Sequence, residues 1–212
     1  RYMPRLLLID ARWEGEINLT KNFKSHLEKT NPKSIDLFAS TQFSDLENFI
    51  KELEKQKIKV NTTKAKRTNK PLQILGCDCY PDSFNKKLNS DMILYIGDGM
   101  FHPKALILST NKEITIFDPI SDKIKVVSRK DMQKELNKKK ANLKKYLNAN
   151  IIGILVTIKP GQQYFLAAKN LKQNLEKEGK KAYIFIDDNL NSNNYENYPF
   201  IECWVNTACP RI

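Results

Sequence analysis

Short runs of aliphatic and β-branched residues alternate with longer stretches of helical periodicity along almost the whole of this 212-residue chain. That alternation constrains the fold most, because strands joined by helical crossovers build βαβ units around a mostly parallel sheet. Strands are expected at residues 5–9, 34–39, 58–60, 72–75, 92–96, 113–117, 124–127, 151–157, 181–186 and 201–206. Between them, Ile17, Leu19, Phe23 and Leu27 mark one helix. Leu46, Phe49, Ile50 and Leu53 mark the inner face of a second, which Ser44 and Glu47 open as a capping box. Pro103 places the start of a short third helix, since proline suits a first turn. Residues 130–148 form one long lysine-rich helix with Met132, Leu136, Leu143 and Leu147 on its expected buried face. A last helix carries Leu166, Leu171 and Leu175.

The fold class is therefore α/β: two similar small domains, each with a mostly parallel sheet flanked by helices. The long helix acts as a connector and puts the boundary between residues 1–129 and 130–212. Both units follow one plan, a run of strands that ends in a turn carrying a cysteine. The intervening segment 61–71 is polar and basic, and is expected to be a surface loop.

Bulk composition removes several classes. No apolar run approaches the roughly 20 residues that cross a bilayer, so no membrane span is expected. The chain opens Arg1-Tyr2-Met3-Pro4 without a charged-then-apolar leader, and it ends at Arg211-Ile212 directly after a motif, which suggests a fragment. Four cysteines in a lysine-rich chain without a leader argue for a reducing, cytoplasmic setting rather than a disulfide framework. The net charge of +12 admits a nucleic-acid partner. Much of that excess sits in helical runs such as Lys138-Lys139-Lys140, which a solvated helix face explains, and no stacking aromatic platform accompanies it. Direct nucleic-acid binding is not expected; a basic surface suits docking to a large ribosome-associated partner.

In parallel sheets, ligands gather beyond the carboxyl ends of the strands. Cys77, Gly97, Asp98, Gly99, Gln162 and Cys209 all follow expected strands, which is the reason to treat them as one site. A free cysteine is most often a small buried hydrophobe. Here Gly76 permits close backbone approach before Cys77, and Pro210 stiffens the turn after Cys209. A structural zinc site needs paired C-x₂₋₄-C knuckles, and Cys77-Asp78-Cys79 is too tight for one. Soft thiolates with few histidines favour an iron–sulfur cluster instead. Cys79 and Cys203 are expected to be structural.

Gly97-Asp98-Gly99-Met100-Phe101-His102-Pro103 lets a polar ligand meet backbone N–H groups at a helix start. Asp98 could accept from an amine, and His102 could act as acid, base or hydrogen-bond donor; a tight βα turn with His102 merely packed explains the same residues. The G-x-G-x-x-G dinucleotide fingerprint is incomplete. Lys159-Pro160-Gly161-Gln162 has N–H groups that could hold a carboxylate, or is an ordinary loop. His26 looks like surface.

Four motifs in order, Ile74-Leu75-Gly76-Cys77, the segment from Tyr95 to Pro103, Thr157-Ile158-Lys159-Pro160-Gly161-Gln162 and Val205-Asn206-Thr207-Ala208-Cys209-Pro210-Arg211-Ile212, resemble the archaeal diphthamide synthase family, 2-(3-amino-3-carboxypropyl)histidine synthase. The resemblance implies three similar α/β domains, each giving one cysteine to a single [4Fe–4S] cluster whose open iron meets S-adenosylmethionine. It implies non-canonical radical SAM chemistry that transfers a 3-amino-3-carboxypropyl group to a histidine of translation elongation factor 2. By the same implication Cys77 and Cys209 are the second- and third-domain cluster cysteines. Gly97, Asp98, Gly99, His102 and Gln162 line the side where the methionine portion of the cofactor lies. The first domain has no counterpart here, so a homodimer or a partner chain that supplies it is expected; in a two-domain relative, Cys79 or Cys203 would stand in as third ligand. A non-catalytic companion subunit that assists cluster reduction or substrate docking is the alternative.

Overall fold

The computed structural model describes residues 12–43, 45–68, 70–84 and 86–209. The expected strand at 5–9, Ser44 of the capping box and the final Pro210-Arg211-Ile212 lie outside the described residues. The chain divides into two compact units, Arg1–Met132 and Gln133–Ile212. The boundary therefore falls three residues beyond the expected one.

Unit 1 contains α1 (Lys21–Thr30), β1 (Ser34–Ala39), α2 (Glu47–Lys55), β2 (Lys59–Thr62), β3 (Met92–Ile96), α3 (Phe101–Thr110), β4 (Ile114–Asp118) and β5 (Lys123–Val127). Its sheet has the order β2-β1-β3-β4-β5, parallel throughout except for the antiparallel β4–β5 hairpin. Buried parallel strands need apolar residues on both faces, and β1, β3 and β4 supply them. Leu37, Leu94 and Phe117 face α1 and α2. Phe38, Ile93, Tyr95 and Ile116 face α3 and the excursion that contains Ala65, Ile74, Cys79 and Phe84.

The starts and stops have local causes. Thr20 caps α1 by accepting from the Phe23 N–H at 3.1 Å, and Asn31 ends it in the left-handed region with φ of 44°. Ile17 and Leu19 consequently precede the helix rather than belong to it, although both are buried. Helix α2 begins at Glu47 with Leu46 in the cap place and no side-chain cap. The expected strand at 72–75 does not form. Leu72 has a φ of 73°, and only Gln73 pairs with Ala39, so the chain touches the sheet at one point and turns away. His26 is not a free surface residue either: its ring stacks on Phe23 with centroids 6.1 Å apart.

Unit 2 contains α4 (Gln133–Asn148), β6 (Ile151–Thr157), α5 (Phe165–Lys177), β7 (Lys181–Asp187) and β8 (Cys203–Asn206). Its parallel sheet has the order β7-β6-β8. Ile152, Ile154, Val156, Ile184 and Val205 pack on Ala168, Leu171 and Leu175 of α5. The expected helix 130–148 breaks after Met132, which is buried in unit 1, and α4 itself buries none of its side chains. Leu143 and Leu147 are 57% and 61% exposed, whereas Tyr146, outside that spacing, is the α4 side chain that packs against the unit 2 core among the described residues. Leu166 of α5 is exposed as well. No helix among the described residues is long and apolar enough to cross a membrane.

The two sheets share a motif. In β2-β1-β3 and in β7-β6-β8 the first strand lies in the middle, flanked by the second on one side and the third on the other. The chain reverses direction across that middle strand, and the crevice beyond the carboxyl ends there is where such sheets take ligands.

Candidate functional site

At the carboxyl end of the unit 1 sheet, β3 runs into Gly97-Asp98-Gly99 before α3 begins. Gly97 has a φ of 149°, and a Cβ there would lie 3.0 Å from the Tyr95 hydroxyl and ring, so no other residue fits without displacing that ring. Its N–H donates to the Phe117 carbonyl at 3.0 Å, which ties the turn to β4. Tyr95 is almost fully buried, and burial, then the Asp98 carboxylate and Cys79, push its hydroxyl well above the usual tyrosine range.

Asp98 stands between two cavities. One, of about 610 Å³, is lined by Asn22, Gly97, Asp98, Gly99, Asp118 and Asp122 among others. The other, of about 470 Å³, meets Arg12, Trp13, Gln42, Asp98 and Asp118. Burial opposes ionisation of Asp118. Hydrogen bonds from the Ser121 hydroxyl and the Ile120 and Ser121 N–H groups outweigh it and hold the carboxyl below the usual range. The Thr20 hydroxyl donates to Asp122 at 2.5 Å, which fixes the β4–β5 turn against the start of α1. Asp98 and Asp118, which line both cavities, thus offer carboxylates to an ammonium group beside the amino end of a ten-residue helix, which suits a carboxylate. His102 does not line either cavity; its ring packs against Tyr95 and Phe101, with centroids at 6.3 and 5.1 Å.

Cys77 reaches the same end of the sheet by another route. The Ala39 N–H donates to the Leu72 carbonyl at 2.9 Å, while the next N–H, that of Ser40, donates to Ile96 of β3 on the opposite side, so residues 72–73 lie beside the carboxyl end of β1 on its β2 side and the chain runs on from there to Cys77. Cys77 is half-buried there. Cys79 is 2% exposed in the core cluster that holds Tyr95, and its thiol donates to the Leu75 carbonyl at 2.8 Å. Asp78 is buried too, and its carboxylate accepts the Arg67 N–H at 2.5 Å. The Arg67 guanidinium reaches the Cys77 sulfur, with Nη1 at 3.2 Å. The Cys77-Asp78-Cys79 spacing, too tight for a zinc knuckle, therefore anchors one presented thiol by its two neighbours. Arg67 carries no sequence signal beyond a basic loop, and sequence reasoning missed it.

Unit 2 presents Gln162 and Cys209 at the carboxyl ends of β6 and β8. Gln162 closes a turn by donating its N–H to the Lys159 carbonyl at 3.1 Å, with Gly161 at a φ of 75°. Thr207 clasps β6 through its hydroxyl and its N–H, both to the Leu155 carbonyl. The Asn206 amide donates to the Cys209 carbonyl and accepts from the Ala208 N–H, each at 2.8 Å. Asn206 and Thr207 thus hold the half-buried Cys209 turn. Cys203 begins β8, is 8% exposed, and burial pushes its thiol up.

The cysteines sort by environment. Cys77 and Cys209 are accessible soft donors at the carboxyl ends of their sheets and suit the iron of a cluster. Cys79 and Cys203 are core residues, which fits the structural role expected of them. Among the described residues no group of three or more His, Cys, Asp or Glu side chains is gathered to hold a metal ion.

The diphthamide synthesis protein model matches residues 7–212. The chain belongs to the diphthamide synthesis family. It is 34% identical over 146 residues to the 2-(3-amino-3-carboxypropyl)histidine synthase of Pyrococcus horikoshii, which is 69% of this chain and 40% of that relative. The synthase of Methanocaldococcus jannaschii is 25% identical over 177 residues, 80% of this chain and 50% of the relative. The crystal structure of Dph2 from Pyrococcus horikoshii with a 4Fe–4S cluster superposes with a TM-score of 0.78 at 28% identity, covering 92% of this chain and 57% of that one. This member of the diphthamide synthesis family thus spans about half the length of the relatives it matches.

Proposed function

We propose that this chain is part of a [4Fe–4S] transferase that cleaves S-adenosylmethionine and attaches its 3-amino-3-carboxypropyl group to a histidine of elongation factor 2. The observation that carries the reading is the pair of half-buried thiols, Cys77 and Cys209, each at the carboxyl end of its own sheet while the other two cysteines are core residues. The cluster in the Pyrococcus relative supports the same assignment. The units match the second and third domains that the resemblance implies, and a partner copy or chain contributes the remaining ligand.

Cys77 and Cys209 would hold the cluster, which when bound supplies the electron for cleaving the sulfonium C–S bond. The chain's own part is to bind and orient the amino-acid end of the cofactor. Asp98 and Asp118 receive the ammonium group, while N–H groups of the 98–100 turn and the start of α3 receive the carboxylate. Gln162 of unit 2, in its own N–H-bearing turn, is the further residue that the resemblance assigns to the cofactor. His102, which the resemblance also assigns to the cofactor side, follows the turn with its ring against Tyr95. The lysines of α4, exposed along a helix with no buried side chain, give elongation factor 2 a basic face to meet.

Anaerobic reconstitution with iron and sulfide tests the reading. A brown protein with four irons per complete site is expected, and Cys77→Ala or Cys209→Ala should abolish uptake. On reduction with S-adenosylmethionine present, methylthioadenosine should appear. Equal iron in the wild type and in both alanine variants would remove the proposal. Iron uptake without methylthioadenosine would mark a companion subunit instead.

A further inference from the structure

Arg67 lies in the basic segment that separates β2 from β3, ten residues before Cys77, and its guanidinium Nη1 stands 3.2 Å from the Cys77 sulfur. The approach is built from several sides. Ala65 is buried and pairs with Phe84 in an antiparallel bridge, and the Lys66 N–H donates to the Ser83 carbonyl at 3.1 Å. Thr68 is buried and donates its hydroxyl to the Ala65 carbonyl at 3.1 Å. Between them the Arg67 N–H donates to the Asp78 carboxylate, which is 3% exposed. Asp78 adjoins Cys77 in sequence, so one buried carboxylate fixes the arginine backbone to the loop that carries the thiol. The side chain that results is exposed, and its loss removes no core packing.

A thiol is a weak acceptor, and a guanidinium gains little by approaching one. A thiolate bound to iron carries net negative charge, and an arginine N–H meets such a charge with a short charge-assisted hydrogen bond. Hydrogen bonds to cluster sulfurs and nearby positive charge set the reduction potential of an iron–sulfur centre. We propose that Arg67 acts through Cys77 as a tuning residue, raising the reduction potential of the cluster by hydrogen-bonding the ligating sulfur, with Asp78 positioning it. This rests on the cluster reading above. The sign follows from charge: reduction adds an electron next to a fixed cation, so the cation favours the reduced state.

The test is an EPR-monitored redox titration of the reconstituted protein as wild type, Arg67→Met, Arg67→Lys and Lys66→Met. Lys66 is the control, an exposed neighbour whose ammonium pairs with Asp82 at 3.6 Å. Iron and sulfide content should be the same in all four. In Arg67→Met the midpoint should fall by at least a tenfold change in the reduction equilibrium, about 59 mV for one electron. Arg67→Lys keeps the charge and should recover half or more of that shift, while Lys66→Met should match the wild type. An unchanged midpoint in Arg67→Met overturns the inference and leaves the cluster reading intact. A fall of equal size in Lys66→Met overturns it too, because the effect would then be general surface charge. Wild-type protein that takes up no iron sinks the cluster reading itself.

Discussion

The two units build the same three-strand motif and deliver sulfur to its carboxyl end by different loops. In unit 2 the cysteine follows the third strand of the motif, β8, and is held by Asn206 and Thr207. In unit 1 the place after the corresponding strand, β3, is taken by Gly97-Asp98-Gly99, and Cys77 comes from the excursion before it. The motif fixes where a ligand can sit, and each loop decides what meets it. The units also differ in how they are covered. Unit 1 packs helices or loop on both faces of its sheet. Unit 2 packs α5 on one face, while Tyr183, Phe185, Tyr195, Tyr198, Phe200 and Trp204 cover the other by edge-to-face and tilted contacts.

If double coverage makes unit 1 the stiffer body, truncating its centre should cost far more than truncating the outer face of unit 2. Phe117 is fully buried and stacks on Phe23 with centroids 4.5 Å apart. Phe117→Ala should lose about 3–5 kcal/mol through the lost transfer energy and the cavity left behind. Phe200 is 48% exposed, and Phe200→Ala should lose about 1 kcal/mol. Urea denaturation followed by hydrogen exchange in β3 and β6 reads the two separately; equal losses would break the contrast.

Cysteine labelling probes what the units share. Each has one core thiol and one accessible thiol, so Cys77 and Cys209 should react with a maleimide in the native apoprotein while Cys79 and Cys203 wait for local opening. An opening cost of about 3 kcal/mol separates the pairs by about a hundredfold in rate. Mass mapping of modified peptides measures the ratio. Labelling of Cys79 as fast as Cys77 would mean that the loop under the site is not anchored.

Much of this was visible beforehand, for a physical reason. The runs at 92–96 and 151–157 are almost wholly apolar, because buried parallel strands require it, and 34–39 is interrupted only by Ser34 and by Asp36, whose buried carboxylate accepts the Ser90 N–H; each forms a strand with those very bounds. The segment 72–75 had the same composition but is committed by Leu72 to a left-handed turn, and a single residue's φ leaves no periodic trace. Leu143 and Leu147 had helical spacing, yet spacing does not say whether anything stands opposite. At the site, Cys77, Cys209 and the Gly97-Asp98-Gly99 turn announce themselves as residue types after strands. Arg67 and Asp118 do not, because what matters is a contact between loops ten residues apart and a carboxyl held by its own turn.

The aromatic face of unit 2 depends on one small residue. Gly153 lies opposite Trp204 across β6–β8 and opposite Tyr183 across β6–β7, and a Cβ there would fall 2.4 Å from the indole ring. Gly153→Ala should therefore force the indole off its seat and cost about 1–3 kcal/mol by overpacking. Trp204→Leu in the same chain should recover part of that loss, since the clash is removed with the ring. Thermal unfolding compares the single and double variants. Additive losses would show that Gly153 serves the backbone rather than the indole.

The smallest expected effect separates the units by pH. Both histidines of the chain are in unit 1, and none is in unit 2. Burial, then the Lys29 ammonium, holds the His26 imidazole below its ordinary pKa, and its buried Nε2 has no hydrogen-bond partner among the described residues. The unfolded chain takes up a proton near pH 6.5, whereas the folded chain does so only at lower pH. Stability from this residue is thus complete above about pH 6.5 and drains away as pH falls through the folded pKa. Between pH 7.5 and 5.5, exchange protection in β1 and β3 should weaken relative to β6, and His26→Gln should remove that part of the slope while leaving β6 unchanged. An unaltered slope in His26→Gln would break the assignment to this imidazole, and Asp118 cannot replace it, because a carboxyl held ionised by its own turn changes stability only at a pH below this window.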